Sequence, residues 1–165
     1  MPQENKGLVQ DPPLEQPRPS RRYRLMQQAL GQLSITTTRP GLHEITHDVV
    51  GWTEQQGIGD GLLTLFCRHT SASLLINENA APAVRRDLER YFARLAPESE
   101  KYEHNDEGPD DMPAHLRTAL TQASLSIPVI DGRPALGTWQ GIYLFEHRAR
   151  PHKRMLALHL IGEPG

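Results

Sequence analysis

Residues 125–162 read LSIPVIDGRPALGTWQGIYLFEHRARPHKRMLALHLIG, and this stretch decides the fold. It holds three apolar runs: LSIPV at 125–129, TWQGIYLFEH at 138–147 and RMLALHLIG at 154–162. Asp131-Gly132 and the segment around Pro151 separate them, and turn residues between such runs mark strands joined by hairpins. The run 138–147 is apolar on both faces, with Trp139, Tyr143 and Phe145 on one and Ile142 and Leu144 on the other. Helices over both faces of the sheet account for that, and so does one face buried against a neighbouring subunit.

Toward the N-terminus, LLTLFCR (62–68) and LLIN (74–77) predict two more strands with a polar HTSAS between them. SITTT (34–38) predicts another, ending at Arg39-Pro40-Gly41. Leu42, Ile45, Val49 and Trp52 recur at helical spacing and predict a helix over 42–55, broken by GIGDG at 57–61. Asn79 is expected to cap a second helix, whose first turn tolerates Pro82 and whose apolar face is Val84, Leu88, Tyr91, Phe92 and Leu95. Pro97 to Asp111 reads as a long acidic loop. A third helix, capped by Asp111, is expected to turn Leu116, Ala119, Leu120 and Ala123 inward. The order β-α-β-β-α-loop-α-β-β-β predicts an α+β domain, a mixed or antiparallel sheet with helices packed on it.

Residues 1–20 carry five prolines and almost no apolar side chains, so residues 1–24 are expected to form a disordered tail and 25–165 a single domain. With 165 residues, the chain has room for one well-packed domain. No run is long and apolar enough to cross a membrane, and the N-terminus lacks the apolar segment of a secretion signal. A formal charge of -2 argues against a nucleic-acid partner, and the single Cys67 excludes an internal disulfide. These features predict a cytoplasmic protein.

Eight histidines are the unusual part of the composition. His43 and His47 have i, i+4 spacing on the expected helix but face away from its apolar stripe, with no HExxH pattern. His159 alternates with Met155, Ala157 and Ile161 and is expected in the core, whereas His147 and His152 flank a turn and are expected in solvent. Three others are better placed for chemistry. His69 ends a buried strand in phase with Leu63, Leu65 and Cys67; His104 lies in the acidic loop beside Asp106, Asp110 and Asp111; His115 falls at the edge of a helix face. Imidazoles with carboxylates suit a divalent ion, zinc above all, with Asp106 or Glu103 as oxygen ligand or outer partner. Glu78, in phase with Leu74 and Ile76, is a general acid/base or else a structural carboxylate at a helix start. Trp139 and Gln140, after Gly137, either line a pocket or belong to the core.

DGLLTLFCRHTSASLLINENA (60–80), YEHNDEGPDDMPAHL (102–116), SIPVIDGRPALGTWQGIYLFEHR (126–148) and the closing RMLALHLIGE together resemble the YjbQ family, small proteins described as secondary thiamine-phosphate synthases. The resemblance runs from about Leu33 to Glu163. It implies a half-barrel-like sheet, assembly as a homotrimer, and a small-molecule pocket near the subunit interface with a metal ion. The motif positions fall on His69, His104, His115 and Glu78, with Thr70, Ser71, Asn77, Trp139 and Gln140 as expected substrate contacts. The EHR match also gives His147 weight. The implied activity joins hydroxymethylpyrimidine diphosphate to thiazole phosphate with release of pyrophosphate. A non-catalytic metal-binding trimer and a metal-dependent hydrolase fit the same ligands.

Overall fold

The computed structural model describes residues 25–165; the expected tail, residues 1–24, lies outside them. Eight strands and three helices follow in the order β1 Gln27–Thr37, β2 Gly41–Glu44, α1 Thr46–Glu54, β3 Ile58–Cys67, β4 Ala72–Glu78, α2 Pro82–Leu95, α3 Asp111–Leu120, β5 Ser124–Ile130, β6 Arg133–Pro134, β7 Gln140–Glu146 and β8 His152–Pro164. The domain is α+β. Every pairing between these strands is antiparallel, in a five-stranded layer β1-β8-β3-β5-β6 and a three-stranded layer β2-β7-β4. A bridge between Leu74 and Gln122 joins the two layers into one curled half-barrel.

Alternation along the strands builds the core. Leu63 and Leu65 of β3, Leu125, Ile127 and Val129 of β5, and Leu156, Leu158 and Leu160 of β8 face Leu74 of β4 and Ile142 and Leu144 of β7, with Ile45 and Val49 closing one end. On the other side of β7, Tyr143 and Phe145 pack with Leu42 beneath Leu88 and Phe92 of α2. The two-sided apolar strand is therefore satisfied within one chain, between the larger sheet and a helix.

Four expectations are corrected here. The stripe from Leu42 is not one helix: Leu42 pairs with Phe145 as part of β2, and α1 starts only at Thr46. Leu42 serves a strand because the free edge of β7 offers ladder hydrogen bonds that the first helical turn would leave unmade. His43 and His47 consequently share no helix face. On β8 the leucines take the core and Met155, Ala157, His159 and Ile161 take the opposite face, where His159 meets Gln28. Neither Asn79 nor Asp111 caps a helix. The residue before α2 is Ala81, and Asn79 Nδ2 donates to Glu44 instead. The residue before α3 is Asp110. Helix α3 buries Pro113, Ala114 and Arg117, and leaves Leu120 exposed.

At the far end of the large sheet Gly61 faces Gly162 across β3 and β8, next to an irregularity between Ile58 and Asp60. A Cβ on Gly162 would stand 2.2 Å from the Asp60 carbonyl and 2.6 Å from the Gly61 Cα. The β3 backbone cannot yield as a side chain would. Gly162→Ala is expected to cost about 1–3 kcal/mol, read as a lower urea midpoint; an unchanged midpoint would show that the strands separate freely there.

Candidate metal centre

The loop after α2 carries no regular structure until Asp111, and what fixes it is one buried cation. Arg148, just past the end of β7, donates from Nε to Asp110 Oδ2 at 3.1 Å and from Nη1 to Asp111 Oδ1 and Glu107 Oε2, each at 2.9 Å. Its Nη2 reaches the Glu107 carbonyl at 2.9 Å, and the Ala149 N–H adds a 2.7 Å bond to Asp110. Burial alone would lower the Arg148 pKa, but the carboxylates of Asp110, Glu107 and Asp111 outweigh it and hold it above the ordinary value. Burial would raise Asp110; the Ala149 N–H and the Arg148 guanidinium hold it below the usual range.

Held this way, Asp111 presents its carboxylate to two imidazoles. His104 Nε2 lies 3.2 Å from Oδ2, and His115 Nε2 lies 3.4 Å from Oδ1. One donor atom from each of the three residues falls within 4.8 Å of the others. His115 sits one turn after Asp111 on α3, which puts both on one helix face. Its Nδ1 is 3.0 Å from the Thr70 carbonyl, which can only accept, so Nδ1 carries a proton. In the neutral ring Nε2 then offers a lone pair toward a carboxylate oxygen, and a proton or a cation must lie between them. An imidazole whose second nitrogen donates to a backbone carbonyl is the usual form of a metal-ligating histidine. Tetrahedral zinc with bonds of about 2.0–2.1 Å needs donors roughly 3.3 Å apart; each imidazole lies near that distance from its own Asp111 oxygen, and the three donor atoms together fall within the wider 4.8 Å.

The other expected residues divide into two groups. His69 adjoins the centre without joining the trio: its Nε2 accepts the Met155 N–H at 2.7 Å, so the neutral ring holds its proton on Nδ1 and has no free lone pair for a metal. Burial, then Arg154, keep its pKa below the ordinary value. Thr70 and Ser71 contribute carbonyls, to His115 and Arg154. Asp106 is exposed and outside the trio, as is Glu103; the carboxylate in the trio is Asp111.

Asn77, Glu78, Trp139 and Gln140 stand elsewhere. Ala72 pairs with Glu146 and Glu78 with Gln140, so this second group lies at the opposite end of β4, about 20 Å along the strand. There Asn77 Oδ1 accepts the Glu78 N–H, Gln140 Oε1 accepts the Gly137 N–H, and Trp139 is 67% exposed, not core.

His147 corrects its expected solvent position. It is 1% exposed, its ring packs against Phe145, and Nε2 meets Ser73 Oγ at 2.9 Å. Burial and the nearby Arg117 push its pKa down to about 3, so it is a neutral structural ring. Asp111 escaped the sequence reading because its place before a helix suggested a cap. The i, i+4 spacing of Asp111 and His115 was the signal that could have found it.

The sequence profile of the family described as UPF0047 protein YjbQ-like matches residues 31–163. A UPF0047 protein of Synechocystis is 50% identical over 132 residues, covering 79% of this chain and 90% of its own length. The UPF0047 protein YjbQ of Escherichia coli O157:H7 is 42% identical, covering 79% and 96%. A crystal structure titled as a YbjQ-like protein of unknown function from Sulfolobus solfataricus superposes with a TM-score of 0.79 at 26% identity, covering 84% of this chain and 100% of that one. With the profile spanning nearly all of the described domain, the chain belongs to the YjbQ/UPF0047 family.

Proposed function

We propose that this chain is a metal-dependent enzyme acting on a phosphorylated small molecule, with a divalent ion, zinc foremost, held by His104, Asp111 and His115. The observation that carries it is the His115 ring: one nitrogen is tied to a backbone carbonyl while the other faces a buried carboxylate that His104 also faces. When bound, such an ion neutralises charge on a leaving phosphate or activates a water. Arg148 fixes Asp111, and Thr70 fixes the ring of His115. The first activity to assay is thiamine-phosphate synthesis, because of the motifs shared with proteins described in that role. A role for Glu78 as acid/base requires an assembly that brings it in from another copy, since it stands far from the trio on its own chain.

Elemental analysis of chelator-free protein is expected to find about one ion per chain. His115→Ala should remove it, and His43→Ala and His159→Ala should retain it. Turnover of the two thiamine precursors that disappears on chelation supports the enzyme. Metal without turnover leaves a binding module, and phosphate release from a single phosphorylated precursor leaves a hydrolase. Metal content unaffected by His115→Ala refutes the centre.

The proposed assembly is a homotrimer. Its support is the outer face of the larger sheet, where Leu30, Leu62, Phe66 and Ile161 are exposed. Light scattering during size exclusion should give about three times 18.6 kDa; a monomer at all concentrations refutes it. Among the described residues no helix is long and apolar enough to cross a membrane.

A further inference from the structure

Between α2, α3 and β7 lies a cavity of about 210 Å³, with Arg117 of α3 in its wall, Phe92 and Phe145 as apolar sides, and Glu89, Glu98 and Glu146 as acidic ones. Arg117 is 8% exposed and has no ion pair among the described residues. A guanidinium carries five N–H donors. Here Nη2 donates to the Ala96 carbonyl at 2.8 Å, and Nε is closed off from solvent without a partner. Two other buried side-chain atoms lack partners, Thr118 Oγ1 and His147 Nδ1, and neither residue lines this cavity. The other two buried guanidiniums are both paired, Arg148 with Asp110 and Asp111 and Arg154 with Glu146. A buried cation left unpaired is costly, so Arg117 calls for a group that answers its charge.

The carboxylates around the cavity do not supply that group. Glu146 is taken up by Arg154, Thr37 and the Arg148 N–H, and Glu89 spends Oε1 on the Leu42 N–H at 2.9 Å. Glu98 is exposed and exerts the largest effect of any charge on Arg117, yet forms no ion pair with it. A plain anion would be repelled by Glu89 and Glu98, and a plain cation by the guanidinium. A molecule carrying both charges satisfies each end. The volume lies below the roughly 300–1,000 Å³ of pockets for drug-sized ligands, so the occupant is small. We infer that this cavity binds a small α-amino acid with an apolar side chain, its carboxylate on Arg117, its ammonium toward Glu98 and its side chain between Phe92 and Phe145. The site stands without the metal centre, whose three residues do not line it.

The test is calorimetric titration of the full chain with L-valine and three compounds that each lack one of its parts. These are 3-methylbutanoate without the ammonium, 2-methylpropylamine without the carboxylate, and glycine without the apolar group. Valine should bind about tenfold tighter than each of them, the size of one lost charge-assisted contact or one buried aliphatic group. Glu98→Gln, at an exposed position, should weaken valine about tenfold and leave 3-methylbutanoate no weaker. Arg117→Met should abolish the advantage of valine over 2-methylpropylamine; if that variant does not fold, Glu98→Gln decides alone. Valine affinity should be the same in EDTA. Affinity that disappears on chelation would mean that the amino acid ligates a metal ion, and overturns the inference. Valine binding no tighter than its fragments also overturns it, as does valine affinity that Glu98→Gln leaves unchanged. So does a parent that ignores valine while Arg117→Met dissociates its assembly, which would give the guanidinium a carboxylate from another copy.

Discussion

Arg154→Met is expected to lower the unfolding free energy at pH 7 by about 3–5 kcal/mol. Glu146 is fully buried, and Arg154 meets both of its carboxylate oxygens, with Nε at 2.7 Å from Oε2. Thr37 Oγ1 and the Arg148 N–H supply two further bonds, at 2.7 and 3.0 Å. Burial by itself would raise the Glu146 pKa; the bonds from Arg154, Arg148 and Thr37 outweigh it, so the folded value lies below the usual carboxylate range. The stabilisation is therefore present above the unfolded-state pKa and is lost as pH falls through the lowered folded one. Without Arg154 the sign reverses. Burial then raises the carboxyl, and the variant gains stability as acid neutralises it. Urea titrations at pH 7 and pH 4.5 should show the gap between parent and variant narrowing at the lower pH. A loss under about 1 kcal/mol at pH 7, the level of an exposed pair, or a gap independent of pH, would show that water reaches Glu146.

Arg148→Met should be of similar size, about 3 kcal/mol or more, for a different reason. Asp110 and Asp111 are both buried, and the guanidinium is the cation between them. Methionine fills the space and leaves two carboxylates facing each other, so the first turn of α3 should open. The proposed metal centre adds a second readout. An ion beside Asp111 restores part of the missing positive charge, so zinc should raise the melting temperature of Arg148→Met more than that of the parent. Equal shifts would mean that ion and guanidinium do not share Asp111. Thermal melts with and without zinc decide it.

The class of the fold was legible because hairpin turns and alternating apolar residues are local signals. The phase of β8 was not, since both of its faces carry apolar residues and only the partner strands decide which one is inside. Leu42 belonged to a helical pattern on paper and to a strand in space, because the edge of β7 it pairs with lies about a hundred residues away. At the site, His104 and His115 were visible as imidazoles among acids. Asp111 was hidden behind a plausible capping role, and its fixation depends on Arg148, a partner that sequence distance conceals. The separation of Glu78 from the trio follows from the length of β4 and the direction in which it pairs, neither of which a motif carries.

Strand β8 lies inside the larger sheet, with β1 on one side and β3 on the other. A growing polypeptide therefore makes β1 and β3 long before the strand that must lie between them. Until residues 152–164 clear the ribosome, both neighbours have open edges and their leucines lack a lid. The sheet cannot be finished piecemeal during translation. Completion waits on the last strand and then joins the two ends of the domain in one event, so the interval before it is when the nascent chain is most exposed to aggregation. A ribosome stalled short of residue 152 would hold a chain that proteases cut readily, and emergence of residues 152–164 would end that sensitivity.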